Sequence, residues 1–252
     1  MAPKIFVAAV SRLNAFVVTF FLIAASLAAG AQAAEAPRKV AVASFGLFGD
    51  QDVFRSEATD AAKIVASRFG GDPVVVQYNT KQGGKVTIAG LEATLQATAE
   101  KLNRERDILF LILTSHGSPN GLAVVAGRTR QMLAPWALGA MLDRTRVRHK
   151  VVVISACYSG TFIPRLADPD VLVVTAADEE HPSFGCTDRA KWTYFGDAFF
   201  NVALRKADTL RNAFAQAQKS VRERELREGF VPSNPQIAGG ANLDPLLVVR
   251  RR

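Results

Sequence analysis

Two residue types in this chain can serve as nucleophile and proton carrier, and both are scarce. Among 252 residues there are three histidines (His116, His149, His181) and two cysteines (Cys157, Cys186). His116 lies in Thr114-Ser115-His116-Gly117, directly after the apolar run ILFLIL at 108–113. Cys157 lies in Ser155-Ala156-Cys157-Tyr158-Ser159-Gly160, directly after VVVI at 151–154. In an open parallel sheet, ligands bind beyond the carboxyl ends of the strands. If these two runs are neighbouring strands, thiol and imidazole share one crevice. That pairing suits acyl transfer: the thiolate attacks a carbonyl and the imidazolium protonates the leaving amine. Gly117 lets a substrate backbone approach closely, and the N–H groups of Gly117 and Cys157 can hold the developing oxyanion. Taken singly, each residue has a plainer reading, since a cysteine after an apolar strand also serves as a small buried hydrophobe. Their placement at matching ends of consecutive apolar strands favours catalysis. His149, inside the basic run 144–150, reads as solvated surface, and His181, in the loop at 178–182, is ambiguous.

The elements that must carry these residues alternate between β-rich runs and amphipathic helices. Strands are expected at 39–44, 73–78, 108–113, 151–154 and 171–175, with a short β pair across Gly127 within 121–132. Helices are expected at 56–69, stopped by Gly70-Gly71, and at 87–103, where Ile88, Leu91, Leu95, Ala99 and Leu102 recur every three or four residues. Pro135 opens another through Leu142, and two more follow near 197–206 and 208–228. Apolar strands separated by helices predict an α/β fold: a mostly parallel sheet with helices on both faces. No repeat or Pro/Ser-rich linker divides the chain, so a single domain spanning 34–252 is expected.

Composition excludes several classes. Apolar residues make up 49% of the chain and charged residues 21%, which is incompatible with a disordered chain. Two cysteines cannot build a disulfide scaffold or a cysteine-only zinc site. Gly83-Gly84-Lys85 is followed by Val86, where a phosphate loop needs Ser or Thr, and there is no G-x-G-x-x-G, H-E-x-x-H or G-x-S-x-G. The net charge of +8 is not accompanied by aromatic residues interleaved among the basic ones, so no nucleic-acid role is expected. At the N-terminus, Lys4 and Arg12 precede an uncharged run at 15–29, and Ala31-Gln32-Ala33 offers an A-x-A cleavage site. This layout predicts a signal peptide at 1–33 and an exported mature chain, in a bacterial periplasm, with no stable membrane span.

The strand-TSHG and strand-SACYSG blocks, with Ser-Phe-Gly-Cys at 183–186 and Thr-Tyr-Phe-Gly-Asp at 193–197, make the chain resemble the legumain-type asparaginyl endopeptidases. Bacterial exported members are the nearest likeness, which extends from about residue 39 to 236. The resemblance implies a caspase-like fold and a cysteine endopeptidase needing neither metal nor organic cofactor, with a peptide or protein substrate. It makes Cys157 the nucleophile and His116 the acid/base, and assigns Arg55, Ser183 and Asp197 to a pocket for an Asn or Asp side chain. A guanidinium and a carboxylate together suit a carboxylamide. Two positions depart from the family pattern. Ser155 stands where those enzymes line the pocket with Glu, and Val53 falls at the place of the Asn that orients their histidine. Transamidation with the same dyad, or a catalytically silent peptide-binding module, are the alternative functions. Because Ser183 is placed at the pocket, Cys186 could lie near Cys157; two free thiols are expected.

Overall fold

The computed structural model describes residues 37–247. The expected signal peptide lies outside the described residues. A six-stranded sheet runs in the order β2–β1–β3–β7–β8–β9. Its strands are β1 (Val40–Gly46), β2 (Gly71–Tyr78), β3 (Ile108–Thr114), β7 (His149–Ser155), β8 (Val171–Thr175) and β9 (Gln236–Gly239). All neighbours are parallel except β8 and β9, which pair antiparallel. A second, three-stranded sheet is built from β4 (Gly117–Ser118), β5 (Gly121–Ala126) and β6 (Thr129–Leu133), all antiparallel. Four longer helices complete the frame: α1 (Asp52–Phe69), α2 (Ile88–Ala99), α3 (Pro135–Thr145) and α4 (Leu210–Arg227). Among the described residues no helix is long and apolar enough to cross a membrane.

Strand β3 shows why the sequence gives a two-sided sheet. Side chains alternate across a strand, so Ile108, Phe110 and Ile112 join one apolar cluster and Leu109, Leu111 and Leu113 the other. The first cluster is covered by α1 and α4, through residues such as Ala61, Val65, Phe214 and Val221. The second is covered by α2 and α3, through Leu91, Leu95, Leu138 and Met141. Each fully buried Leu, Ile or Phe contributes roughly 1.5–3 kcal/mol, which fixes the strand register and with it the strand ends.

Element boundaries differ from the sequence expectations in informative ways. Helix α1 begins at Asp52 rather than 56, because Val53 and Phe54 are buried ahead of the first alanine of the apolar face. It ends as expected, with Gly70 in the left-handed region (φ 71°) returning its N–H to Ala66. Helix α2 stops at Ala99, and Thr87 caps its start by accepting from the Gly90 N–H. Where one helix was expected near 197–206, a single α-turn at Tyr194–Gly196 runs into a π-helical stretch, Asp197–Ala203. Strand β7 starts two residues earlier than expected, so His149 and Lys150 are buried strand residues rather than solvated surface. Strand β9 was not anticipated.

Candidate active site

The register of β3 against β7 places Thr114 opposite Ser155. His116 and Cys157 each lie two residues beyond that pair, on adjacent loops at the carboxyl end of the sheet. The loops touch through their backbones: a Cβ on Gly117 would come within 2.0 Å of the Cys157 carbonyl oxygen and 3.2 Å of the Ala156 Cβ. Only a glycine permits that approach. Immediately after Cys157 the chain turns sharply, with Tyr158 held in the left-handed region (φ 54°, ψ 22°). A non-glycine residue in that region costs energy and persists only where its surroundings impose it. Here the Tyr158 N–H donates to the His181 carbonyl (2.9 Å) and Gly160 N–H to that of Asp178 (3.3 Å), fastening the turn to the loop after β8.

The same loop reaches the sulfur. Ser183 donates its N–H to Cys157 Sγ at 3.2 Å, and its Oγ lies 3.7 Å from Sγ. Sγ also lies 3.4 Å from the Ser183 carbonyl, the contact a protonated thiol makes. Asp178 anchors this loop by accepting from its own residues, the N–H groups of Glu180 and His181, and from Asn234 Nδ2, and it pairs with His181 Nδ1 at 2.7 Å. Burial pushes the Asp178 carboxyl up, but bonds from Asn234, His181 and Glu180 outweigh it and hold the pKa below the usual carboxylate value.

His116 is half-buried between the rings of Phe48 and Phe54, both edge-on, at centroid distances of 4.6 and 5.0 Å. That burial lowers the imidazole pKa, favouring the neutral ring needed to accept a proton. Its Nε2 lies 2.5 Å from Gln51 Oε1, while Gln51 Nε2 donates to the Cys186 carbonyl at 3.1 Å. The second bond sets which end of the Gln51 amide faces the ring. An amide oxygen only accepts, so His116 carries its proton on Nε2 and presents a lone pair on Nδ1. Gln51 occupies the N-cap position of α1 without making a cap bond, its side chain being committed to these partners. The sequence reading missed it: counting had placed the orienting position at Val53, which is fully buried.

The pocket residues divide. Ser183 sits against Cys157. Ser155 is buried, its Oγ 3.1 Å from Thr193 Oγ1. Asp197, half-buried at the start of the π-helical stretch, accepts from Asn201 Nδ2 at 2.8 Å. Arg55 is more exposed: it pairs with Asp52 at 3.2 Å and lies 5.8 Å from the Tyr78 ring centroid. Among the described residues no hydrogen bond or ion pair joins its guanidinium to Ser183 or Asp197. Cys157 and Cys186 are both free thiols, and burial followed by the nearby Cys157 pushes the Cys186 thiol pKa up. No group of three or more His, Cys, Asp or Glu among the described residues is arranged to hold a metal ion.

Sheet order and the position of the two loops define a caspase-like α/β fold. Among solved structures the chain is similar to caspase-1 from Spodoptera frugiperda, with 17% identity, a TM-score of 0.57, and coverage of 80% of this chain and 86% of that one. At that identity the likeness concerns the fold. A family model described as Peptidase C13 family, the legumain family, matches residues 55–239, and the chain belongs to that family. No curated protein matches it. Membership makes a cysteine peptidase type of function and a protein substrate the coarse assignment.

Proposed function

We propose that the chain is an exported cysteine endopeptidase that cleaves peptide bonds through an acyl-enzyme on Cys157. The observation that carries this reading is the meeting of the His116-Gly117 and Cys157 loops, with Gln51 presenting His116 as a base. Neutral His116 takes the thiol proton at Nδ1 as the sulfur attacks the carbonyl carbon of the scissile bond. The carbonyl oxygen becomes negative beside the Gly117 and Cys157 N–H groups. As the tetrahedral adduct collapses, the imidazolium returns the proton to the departing amine. Water, activated by the same ring, then releases the acyl group and regenerates the thiol. An acceptor amine in place of water would give transamidation by the same steps, its nitrogen attacking the thioester and the thiol leaving.

The residue before the scissile bond is assigned as Asn or Asp, held by Arg55, Ser183 and Asp197, with Ser155 supporting the pocket from beneath. The Arg55–Asp52 pair does not oppose this role, because an exposed ion pair is worth only about 0–1 kcal/mol and its guanidinium can exchange partners. The test is a panel of fluorogenic peptides differing at that residue, run with wild type and Cys157→Ala. Cleavage by wild type alone, fastest after Asn or Asp, is the expected result. Equal inertness of both proteins, with retained peptide binding, would instead make this a silent recognition module. Export is checked by N-terminal sequencing of chain recovered from the periplasm, which should begin at Ala34.

A further inference from the structure

One buried carboxyl group near the site has no part in the steps above. Glu57, in the second turn of α1, is fully buried. Its Oε1 accepts from Thr114 Oγ1 at 2.9 Å, and its Oε2 accepts from both the N–H and the Oγ1 of Thr193 at 2.8 Å each. Thr193 Oγ1 accepts in turn from the Gly196 N–H at 2.9 Å and lies 3.1 Å from Ser155 Oγ. Gly196 has no room for a side chain, since a Cβ there would fall 2.0 Å from Glu57 Oε2.

The positions of these partners give the contact its meaning. Thr114 is two residues before His116, Ser155 is two before Cys157, and Thr193 is four before Asp197. Glu57 itself belongs to the helix whose start carries Gln51 and Arg55. We propose that Glu57 is a positioning residue: a single carboxylate to which the strand end of His116, the strand end of Cys157 and the helical entry to Asp197 are all tied, setting nucleophile, base and pocket in register. This rests on the peptidase reading for its consequence, though the clamp itself is a matter of geometry. Burial pushes the Glu57 pKa up against the lowering bonds from Ser155, Thr193 and Thr114. A buried carboxyl that raises the cost of folding at neutral pH is weak evidence for a stability role. Each donor it receives instead comes from a segment carrying a site residue.

The experiment compares Glu57→Leu, Glu57→Gln, Thr114→Val and Thr193→Val in two readouts, peptide cleavage and the rate of Cys157 alkylation by iodoacetamide, followed by mass. Glu57→Leu removes every acceptor at similar volume. It is expected to slow both readouts by more than about ten-fold, since displacements near 1 Å cost up to about a hundred-fold. In Glu57→Gln the amide oxygen can serve Thr193 while the amide N–H meets Thr114 Oγ1, restoring both rates to within about three-fold. Thr114→Val frees only the His116 strand end and should lower kcat and alkylation with KM kept. Thr193→Val frees the pocket side and, through Ser155, the Cys157 strand end, and should raise KM and slow alkylation together. A folded Glu57→Leu protein that alkylates at the wild-type rate overturns the clamp. Should that variant fail to fold, an unchanged alkylation rate in folded Thr114→Val overturns it. Alkylation needs no peptide, so a chain without peptidase activity fails the cleavage arm in wild type and leaves the alkylation arm readable.

Discussion

Replacing Gln51 by Ala removes the acceptor on His116 Nε2 and the donor to the Cys186 carbonyl in one step. Leaving a buried N–H unpaired costs about 1–3 kcal/mol. Because His116 is only half-buried, water recovers part of this and the lower half of that range applies. What remains is the loss of tautomer and orientation. With either nitrogen free to carry the proton, a fraction of molecules present N–H to the sulfur instead of a lone pair. Together these predict a fall in kcat of about 10- to 100-fold, each 1.4 kcal/mol being ten-fold in rate, with KM near the wild-type value. The assay is kcat and KM against pH on a fluorogenic peptide. Wild type should keep its activity to below the ordinary histidine range on the acid side, because burial lowers the His116 pKa from 6.5 and activity requires the neutral ring. Gln51→Glu supplies the missing test of sign. A carboxylate on Nε2 favours the imidazolium, so the acid limb must move to higher pH while the tautomer is kept. Gln51→Ala with kcat within about two-fold of wild type, or a Gln51→Glu acid limb that stays put, would refute the assignment of Gln51 as the group orienting the catalytic ring.

Other outcomes follow from the same geometry. Cys186→Ser should keep kcat/KM within about three-fold, because the loop uses the Cys186 carbonyl and not its thiol; a large loss would put the thiol in the chemistry. Gly117→Ala forces a Cβ to 2.0 Å from the Cys157 carbonyl. It should abolish cleavage and lower stability by about 1–3 kcal/mol in a denaturant titration. The raised pKa of Glu57 contributes stability below the ordinary glutamate value of 4.5 that is lost as pH rises through the folded value. The Tm of Glu57→Gln relative to wild type should therefore climb between acid and neutral pH, as thermal melts across that range will check.

The placing of His116 and Cys157 on adjacent loops was legible because strand ends are legible. ILFLIL and VVVI are apolar throughout, which only strands buried on both faces require, and the polar residues that follow must then lie at a sheet rim. Gln51 left no such mark, because a glutamine between a loop and a helix resembles any solvated residue, and counting from Arg55 put the role two positions away. Glu57 did leave a trace. It is spaced four and seven residues before Ala61 and Ile64, on the inward face of α1, where a carboxylate needs a partner. Reading the helix from its alanines hid that trace. His149 was misjudged because basic neighbours on both sides suggested surface, whereas the strand pairing of β7 with β3 decides its burial. Strand β9 is four residues after a proline-containing loop, too short for any periodicity to register.

The segment leading into that last strand steadies a loop distant in sequence. Just ahead of β9, Ser233 accepts from the Asp178 N–H and Asn234 donates to the Asp178 carboxylate. The loop bearing Ser183 thus takes part of its support from residues translated some fifty positions later. A ribosome-bound or prematurely terminated chain lacking them would hold both reactive side chains yet leave β8 as an open edge and the Asp178 loop untethered. The loop beside Cys157 is therefore complete only once a segment some fifty residues further along the chain has docked against Asp178.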